Sequence, residues 1–178
     1  YLSDEWFACV SACIDRAREL GLKAYLYDED RWPSGPAGGF VTRAHPEFRV
    51  HCLCSGDPSG RGDLVKRLGS FRVELDGAGG LVSYESCADG EGLAFSVCTP
   101  YPTGWENDGG YLDTMDSDAV DEYVRVTHEA YAARYASEFG QAIPAIFTDE
   151  PNYGYWSAGG GAEGARVQWT RKMEAEFA

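Results

Sequence analysis

The segment KAYLYDED, residues 23–30, decides the fold prediction, because a short apolar run ends there in three acidic side chains. A helical pattern precedes it. Ser3 can cap a helix whose apolar residues recur at helical spacing up to Leu20, and Gly21 supplies the stop. The sequence therefore predicts a helix, a strand and then a loop over residues 3–39.

A second unit of the same kind lies nearer the other end of the chain. Apolar residues recur at helical spacing from Ser117, and Gly140 closes the pattern. The apolar run at 144–148 then ends in Asp149 and Glu150. Two helix-to-strand units that finish in carboxylates predict parallel strands whose C-terminal ends share one edge.

Between these units the pattern becomes that of antiparallel strands. Residues 71–76 alternate apolar and polar, 77–80 predict a turn, and 81–84 resume the extended pattern, so a hairpin is expected. Residues 93–98 predict a further strand, either the third member of the hairpin or a barrel strand. We therefore expect a β-rich insertion over residues 69–101.

Together these elements predict an α/β fold, a partial TIM (β/α)8 barrel with an inserted β-hairpin or small antiparallel sheet. A complete barrel takes about 250 residues, whereas this chain has 178. We therefore expect residues 1–178 to be a single incomplete catalytic domain whose partner is the remainder of a longer chain. A smaller open α/β domain is the alternative.

The charge balance narrows the classes of function. With 29 acidic and 15 basic side chains, the formal net charge is -14, which repels phosphate backbones and anionic lipid surfaces. No apolar run approaches the roughly 18 residues that span a bilayer, and the start shows no signal peptide. We expect a carbohydrate partner, no nucleic acid or membrane partner, and a cytoplasmic location.

The acidic strand ends supply the candidate catalytic residues. Hydrolysis of a glycosidic bond uses one protonated and one ionised carboxyl group. Because neighbouring side chains of a strand point to opposite faces, only one of Asp149 and Glu150 should face the site. Glu150 has the longer reach and is the predicted acid. A carboxylate that caps the next helix is the alternative interpretation.

Acidic and aromatic loop residues form the candidate substrate-binding set. Carboxylates can bind sugar hydroxyls, and flat rings can stack on sugar faces. The carboxylate oxygens of Asp28 and Asp30 could also help to hold calcium, although residues 28–30 lack the ligand pattern of a calcium-binding loop. No other cofactor or metal is indicated, and His128 is interpreted as structural. The predicted set is Asp28, Glu29, Asp30, Trp32, Trp105, Asp113 and Tyr153, with Tyr155 and Trp156 as further aromatic residues.

Three motifs resemble a known family: YDEDRWPSG at 27–35, YLDTM at 111–115 and FTDEP at 147–151. Together they resemble bacterial proteins related to the α-L-rhamnosidases of glycoside hydrolase family 106. The resemblance implies a (β/α)8 catalytic domain, inverting hydrolysis and, in rhamnosidase members, an active-site calcium. It also implies that Glu150 is the general acid and that the loop at 28–32 forms part of the cleft. The base would lie on a later strand, so the fragment alone is expected to be inactive.

Two other classes of function stay open. The first is a non-catalytic carbohydrate-binding or structural barrel piece, which would keep the aromatic residues but lack a second carboxylate opposite Glu150. The second is a metal-dependent hydrolase of another substrate, with Asp28, Asp30 and Asp149 as oxygen ligands.

Overall fold

The computed structural model describes residues 1–56, 62–152 and 166–177. The chain divides into two compact units, Tyr1–Arg49 with Pro102–Asn152 and Val50–Tyr101 with Tyr153–Ala178. The first unit contains a two-stranded parallel sheet, and the second contains a five-stranded sheet whose neighbours are all antiparallel.

The described helices and strands are short, apart from α1 and β3. The helices are α1 (Asp4–Glu19), α2 (Phe40–Ala44), α3 (Ser117–Val126), α4 (His128–Tyr135) and α5 (Met173–Glu176). The strands are β1 (Leu26–Tyr27), β2 (His51–Ser55), β3 (Gly62–Leu75), β4 (Leu81–Cys87), β5 (Leu93–Pro100), β6 (Ile146–Phe147) and β7 (Arg166–Trp169). Within these described ranges no helix is long and apolar enough to cross a membrane.

Helix α1 begins where the sequence predicts. The Ser3 hydroxyl accepts the Trp6 N–H at 3.2 Å, which satisfies one of the free donors of the first turn. The helix ends beside Gly21, whose φ of 67° suits a residue without a side chain. Phe7 and Ile14 are buried on one face, and burial of such a side chain contributes about 1.5–3 kcal/mol.

The core of the first unit lies between α1, α4 and the parallel pair of β1 and β6. The pair is in register, with Leu26 opposite Ile146 and Tyr27 opposite Phe147. Tyr131 is buried in this core, where its hydroxyl donates to the Tyr27 carbonyl at 3.0 Å and accepts from Trp6 Nε1 at 3.1 Å. The buried members are Phe7, Ile14, Leu26, Tyr131, Tyr135, Ala142 and Ile143.

The second unit is built on the predicted hairpin. Strands β3 and β4 pair antiparallel across a turn in which the Asp76 carboxylate accepts the N–H groups of Ala78 and Gly80. The sheet order is β4-β3-β5-β2-β7. Strand β5 is therefore a member of this antiparallel sheet and not a barrel strand. The range 69–101, predicted as a β-rich insertion, lies inside this unit.

The predicted partial (β/α)8 barrel is wrong. The structure is mixed α/β, with a five-stranded antiparallel sheet, a small parallel pair and no closed barrel in the described part of the chain. Each of the two helix-to-strand units supplies a strand of only two residues, and within the described residues these strands pair only with each other. Most of the other extended segments alternate apolar and polar residues and are joined by tight turns. This pattern favours antiparallel hairpins over parallel strands joined by crossovers.

The Tyr131 hydroxyl gives the first test of this packing. Tyr131→Phe should lower the free energy of unfolding by about 1–3 kcal/mol, because the Trp6 indole N–H and the Tyr27 carbonyl lose a buried partner. Urea unfolding followed by circular dichroism measures the change. The control is Tyr25→Phe at an exposed tyrosine, which should change stability by less than about 0.5 kcal/mol. Equal effects of the two substitutions would contradict this role.

Candidate functional site at the ends of β1 and β6

The ends of β1 and β6 bring the predicted acidic residues to one place. The Asp28 N–H donates to the Phe147 carbonyl at 3.3 Å, which extends the parallel pairing by one residue. Beyond Asp28, two hydrogen bonds join Ser34 to Asp149. The Ser34 N–H donates to the Asp149 carbonyl at 2.9 Å, and the Asp149 N–H donates to Ser34 Oγ at 3.0 Å. The loop after β1 is thus held beside the residues that follow β6.

Asp28 is completely buried and its carboxylate is surrounded by protein donors. Oδ1 accepts from Ser34 Oγ at 2.6 Å, while Oδ2 accepts from Thr148 Oγ1 at 2.5 Å and lies 3.0 Å from His128 Nε2. Burial opposes ionisation, but the hydrogen bonds from His128, Ser34 and Thr148 outweigh it and lower the pKa of Asp28. Asp28 is therefore ionised, and both of its carboxylate oxygens are hydrogen-bonded within the protein.

Glu29 is also completely buried, and it organises the loop that follows β1. Oε1 accepts the N–H groups of Asp30 at 3.0 Å and Gly38 at 2.5 Å. Oε2 accepts those of Gly35 at 3.2 Å and Ala37 at 2.5 Å. Burial raises the pKa of Glu29 to about 7, although these donors act in the opposite direction. One side chain thus supplies the acceptor for four backbone N–H groups of its own loop.

The loop after β1 presents the exposed Trp32, which is hydrogen-bonded to a second exposed tryptophan, Trp105, from a later loop. Trp32 is 43% exposed and Trp105 is 54% exposed, and Trp105 Nε1 donates to the Trp32 carbonyl at 2.8 Å. The Arg31 guanidinium lies 5.6 Å from the centre of the Trp105 ring. Asp30 Oδ2 accepts from Arg31 Nε at 3.2 Å and from Asn107 Nδ2 at 3.0 Å. Flat rings beside fixed charged and amide groups form a surface suited to a polar ring such as a sugar.

Glu150 is exposed and has a left-handed backbone, with φ at 44°. Such a conformation costs a residue other than glycine about 1–3 kcal/mol, so the neighbouring structure must hold it. Asp149, which is half-buried, is fixed on one side by Ser34. On the other side the Asn152 N–H donates to the Tyr111 hydroxyl at 3.1 Å. The chain is therefore anchored on both sides of an exposed carboxylate.

The remaining predicted substrate residues have different positions. Asp113 is completely buried, and its Oδ1 accepts the Met115 N–H at 3.1 Å in the turn before α3. Its own N–H donates to the Phe48 carbonyl at 2.8 Å. Tyr153 lies outside the described residues, as do Tyr155 and Trp156. Of the predicted set, the structure therefore exposes Trp32, Trp105 and Glu150 most clearly at this surface.

The predicted metal ligands do not fit a metal site. Among residues 1–56, 62–152 and 166–177, no group of three or more His, Cys, Asp or Glu side chains is placed to hold a metal ion. The Asp28 oxygens are engaged by hydroxyl and imidazole groups, and Asp30 Oδ2 is engaged by Arg31 and Asn107. Calcium held by Asp28, Asp30 and Asp149 is therefore not supported by this donor set.

Sequence reasoning missed several polar partners at this site. His128 was assigned a purely structural role from its position in a helix, yet its imidazole contacts Asp28, which lies 100 positions earlier in the chain. Thr148 and Asn107 contact Asp28 and Asp30 in the same way. No spacing motif connects such distant positions. The only local signal was Ser34, six residues after the aspartate that it contacts.

Comparison with known proteins adds no family to this description. A scan of models of protein families and searches of curated proteins and of solved structures gave no match to this chain.

Removal of the Glu29 side chain tests its role in the loop. Glu29→Ala leaves four N–H donors, three of them buried, without their acceptor, so the free energy of unfolding should fall by at least about 3 kcal/mol. Hydrogen exchange at the Ala37 and Gly38 amides should become faster. The matched control is Glu129→Ala at an exposed glutamate of α4. Unchanged exchange at Ala37 and Gly38 would contradict the assignment.

The raised pKa of Glu29 predicts a pH dependence. The folded protein binds this proton more tightly than the unfolded chain, because the pKa moves from 4.5 to about 7. The stabilising contribution is therefore complete below the unfolded value and is lost as pH rises through about 7. The stability difference between the parent protein and Glu29→Ala should be larger at about pH 4.5 than at about pH 8. Urea unfolding at both pH values measures it, and a difference that grows with pH would contradict the prediction.

Proposed function

We propose that this chain contributes a sugar-binding surface and the general acid of a glycoside hydrolase that acts on O-glycosidic bonds. Glu150 carries the proposal. It is an exposed carboxylate in a strained backbone conformation, three residues after β6 and next to Asp149, which is hydrogen-bonded to Ser34 in the neighbouring loop. Strain that the surrounding structure maintains is common at functional sites.

The tryptophan pair supports a carbohydrate as the substrate. Trp32 and Trp105 keep about half of their surface exposed, although large apolar rings are costly to expose without a ligand. Ser34 links the two features, because it follows Trp32 by two residues and is bonded to Asp149, next to Glu150. An aromatic surface beside an acid is what binding and protonation of a glycoside require.

The chemistry assigned to Glu150 is proton donation to the leaving oxygen. Protonation makes the alcohol or sugar a better leaving group as the bond to the anomeric carbon breaks. A formal net charge of -14 favours a neutral substrate over an anionic one. The resemblance of the three motifs to relatives of the family 106 rhamnosidases makes α-L-rhamnosides the first substrates to test.

A non-catalytic sugar-binding role is the second candidate, and one observation favours it. Glycoside hydrolysis needs a partner for the acid, yet Asp28 and Glu29 are buried and engaged by protein donors. These two carboxylates therefore do not face a substrate. A binding surface would still use Trp32 and Trp105.

Hydrolysis of aryl glycosides by the full-length protein tests the proposal. Glu150→Gln should lower the rate by about 100-fold to 10,000-fold, and the loss should be smallest for substrates with good leaving groups, which need least protonation. The panel includes the α-L-rhamnoside. The control is Glu129→Gln at an exposed glutamate of α4, which should keep the parent rate.

The outcomes separate the two candidates. Equal rates in Glu150→Gln and in the parent would remove Glu150 as the acid. Absence of hydrolysis, together with sugar binding that Trp105→Ala abolishes, would favour the binding role. The matched control for binding is Tyr25→Ala at another exposed aromatic residue of the first unit.

A further inference from the structure

His128 and Asp28 form an imidazole–carboxylate pair at the end of β1. His128 Nε2 lies 3.0 Å from Asp28 Oδ2, and Asp28 is completely buried whereas the His128 side chain is 33% exposed. We infer that Asp28 holds His128 as the proton acceptor that activates water at this site. The inference rests on the proposed function and supplies the second group that hydrolysis needs.

The hydrogen-bond partners decide which nitrogen is the base. The Asp28 carboxylate accepts hydrogen bonds, so Nε2 carries the proton and donates to it. In the neutral ring Nδ1 then keeps a free lone pair. Within the described residues, Nδ1 of His128 makes no hydrogen bond.

The ring is held in place by several neighbours. Ser34 and Thr148 donate to Asp28 and fix the orientation of its carboxylate, with Ser34 on Oδ1 and Thr148 on Oδ2. The Tyr123 ring meets the His128 ring edge-on, with the centroids 6.1 Å apart. The groups that contact the imidazole are thus the Asp28 carboxylate and the Tyr123 ring. A histidine oriented by a buried carboxylate is a common general base in hydrolases.

The pair is located at the same strand end as Glu150. Thr148 and His128 meet at one oxygen of Asp28, and Thr148 precedes Glu150 by two residues. The partly exposed imidazole of His128 and the exposed carboxylate of Glu150 are thus both connected to the residues that follow β6, the first through Asp28 and Thr148 and the second through the chain itself.

The hydrolytic step balances with these two groups. Water loses a proton to His128 Nδ1 while its oxygen forms a bond to the anomeric carbon. The bond from that carbon to the leaving oxygen breaks, and the leaving oxygen takes the proton of Glu150. Proton exchange with solvent then returns the imidazolium to imidazole and the Glu150 carboxylate to its acid form. The net change is addition of one water across the glycosidic bond.

Chemical rescue distinguishes a base from a structural histidine. In the full-length protein, His128→Ala should lower the hydrolysis of aryl glycosides by about 100-fold or more. Added imidazole should restore part of that rate, because it can occupy the space of the deleted ring. It should not restore Glu150→Gln. The control is His45→Ala, which removes a histidine of the same unit whose side chain is 43% exposed and should keep the parent rate with or without imidazole.

The results separate this inference from the proposed function. Activity that depends on Glu150 but is unchanged in His128→Ala, or is lost there without rescue by imidazole, would overturn the role of His128 alone. Absence of hydrolysis with every glycoside would overturn the proposed function, and the role of His128 with it.

A measurement on the unmutated protein covers the case in which His128→Ala does not fold. Nitrogen-15 NMR of the histidine side chains reports which ring nitrogen carries the proton. The neutral ring of His128 should have the proton on Nε2 and a bare Nδ1. A proton on Nδ1 in the neutral ring would overturn the assignment, because that nitrogen could not then accept a proton from water.

Discussion

The buried carboxylate of Asp28 is the interaction on which the first unit depends. It receives donors from the loop after β1, from the residue after β6 and from the start of α4. A buried charge is costly unless it is fully hydrogen-bonded. The Asp28 carboxylate therefore needs its three donors to stay ionised in the interior. Loss of any one would leave a charged group partly unsatisfied in the interior.

The Glu29 carboxylate accepts hydrogen bonds from backbone N–H groups, whereas the Asp28 carboxylate accepts them from side chains. The loop from Asp30 to Gly38 has no regular hydrogen-bond ladder of its own, and its N–H groups converge on this one carboxylate. Two consecutive acids thus have separate tasks. Asp28 connects elements that are far apart in the chain, whereas Glu29 shapes the loop that presents Trp32.

Local signals predicted part of this architecture. The Ser3 cap, the Gly21 stop and the β3–β4 hairpin depend on neighbours within a few residues, and each is found in the structure. The meeting of two acidic strand ends also follows from parallel pairing. The barrel prediction failed because it extended a pattern of two units into a larger repeat, which periodicity cannot establish.

The site was less predictable than the fold, because its partners are remote in sequence. Residues 28 and 128, or 30 and 107, carry no spacing that marks them as neighbours. Side-chain alternation gives no guide to Asp28 and Glu29, since both are completely buried. A strand that ends at Tyr27 leaves the next residues free of the alternation rule.

In the proposed sugar-binding surface, the hydrogen bond from Trp105 Nε1 to the Trp32 carbonyl limits what Trp105 could offer a ligand. Indole has a single polar donor, and here it is already committed within the protein. Trp105 could therefore contact a ligand only through its hydrocarbon and π surface. Such a surface can stack on many rings of similar shape with little preference among their hydroxyl patterns. Under this proposal, selectivity would come from the polar side chains of Asp30, Arg31 and Asn107, which hold one another in fixed positions. Affinity and discrimination would then depend on different residues, and mutation could change each without the other.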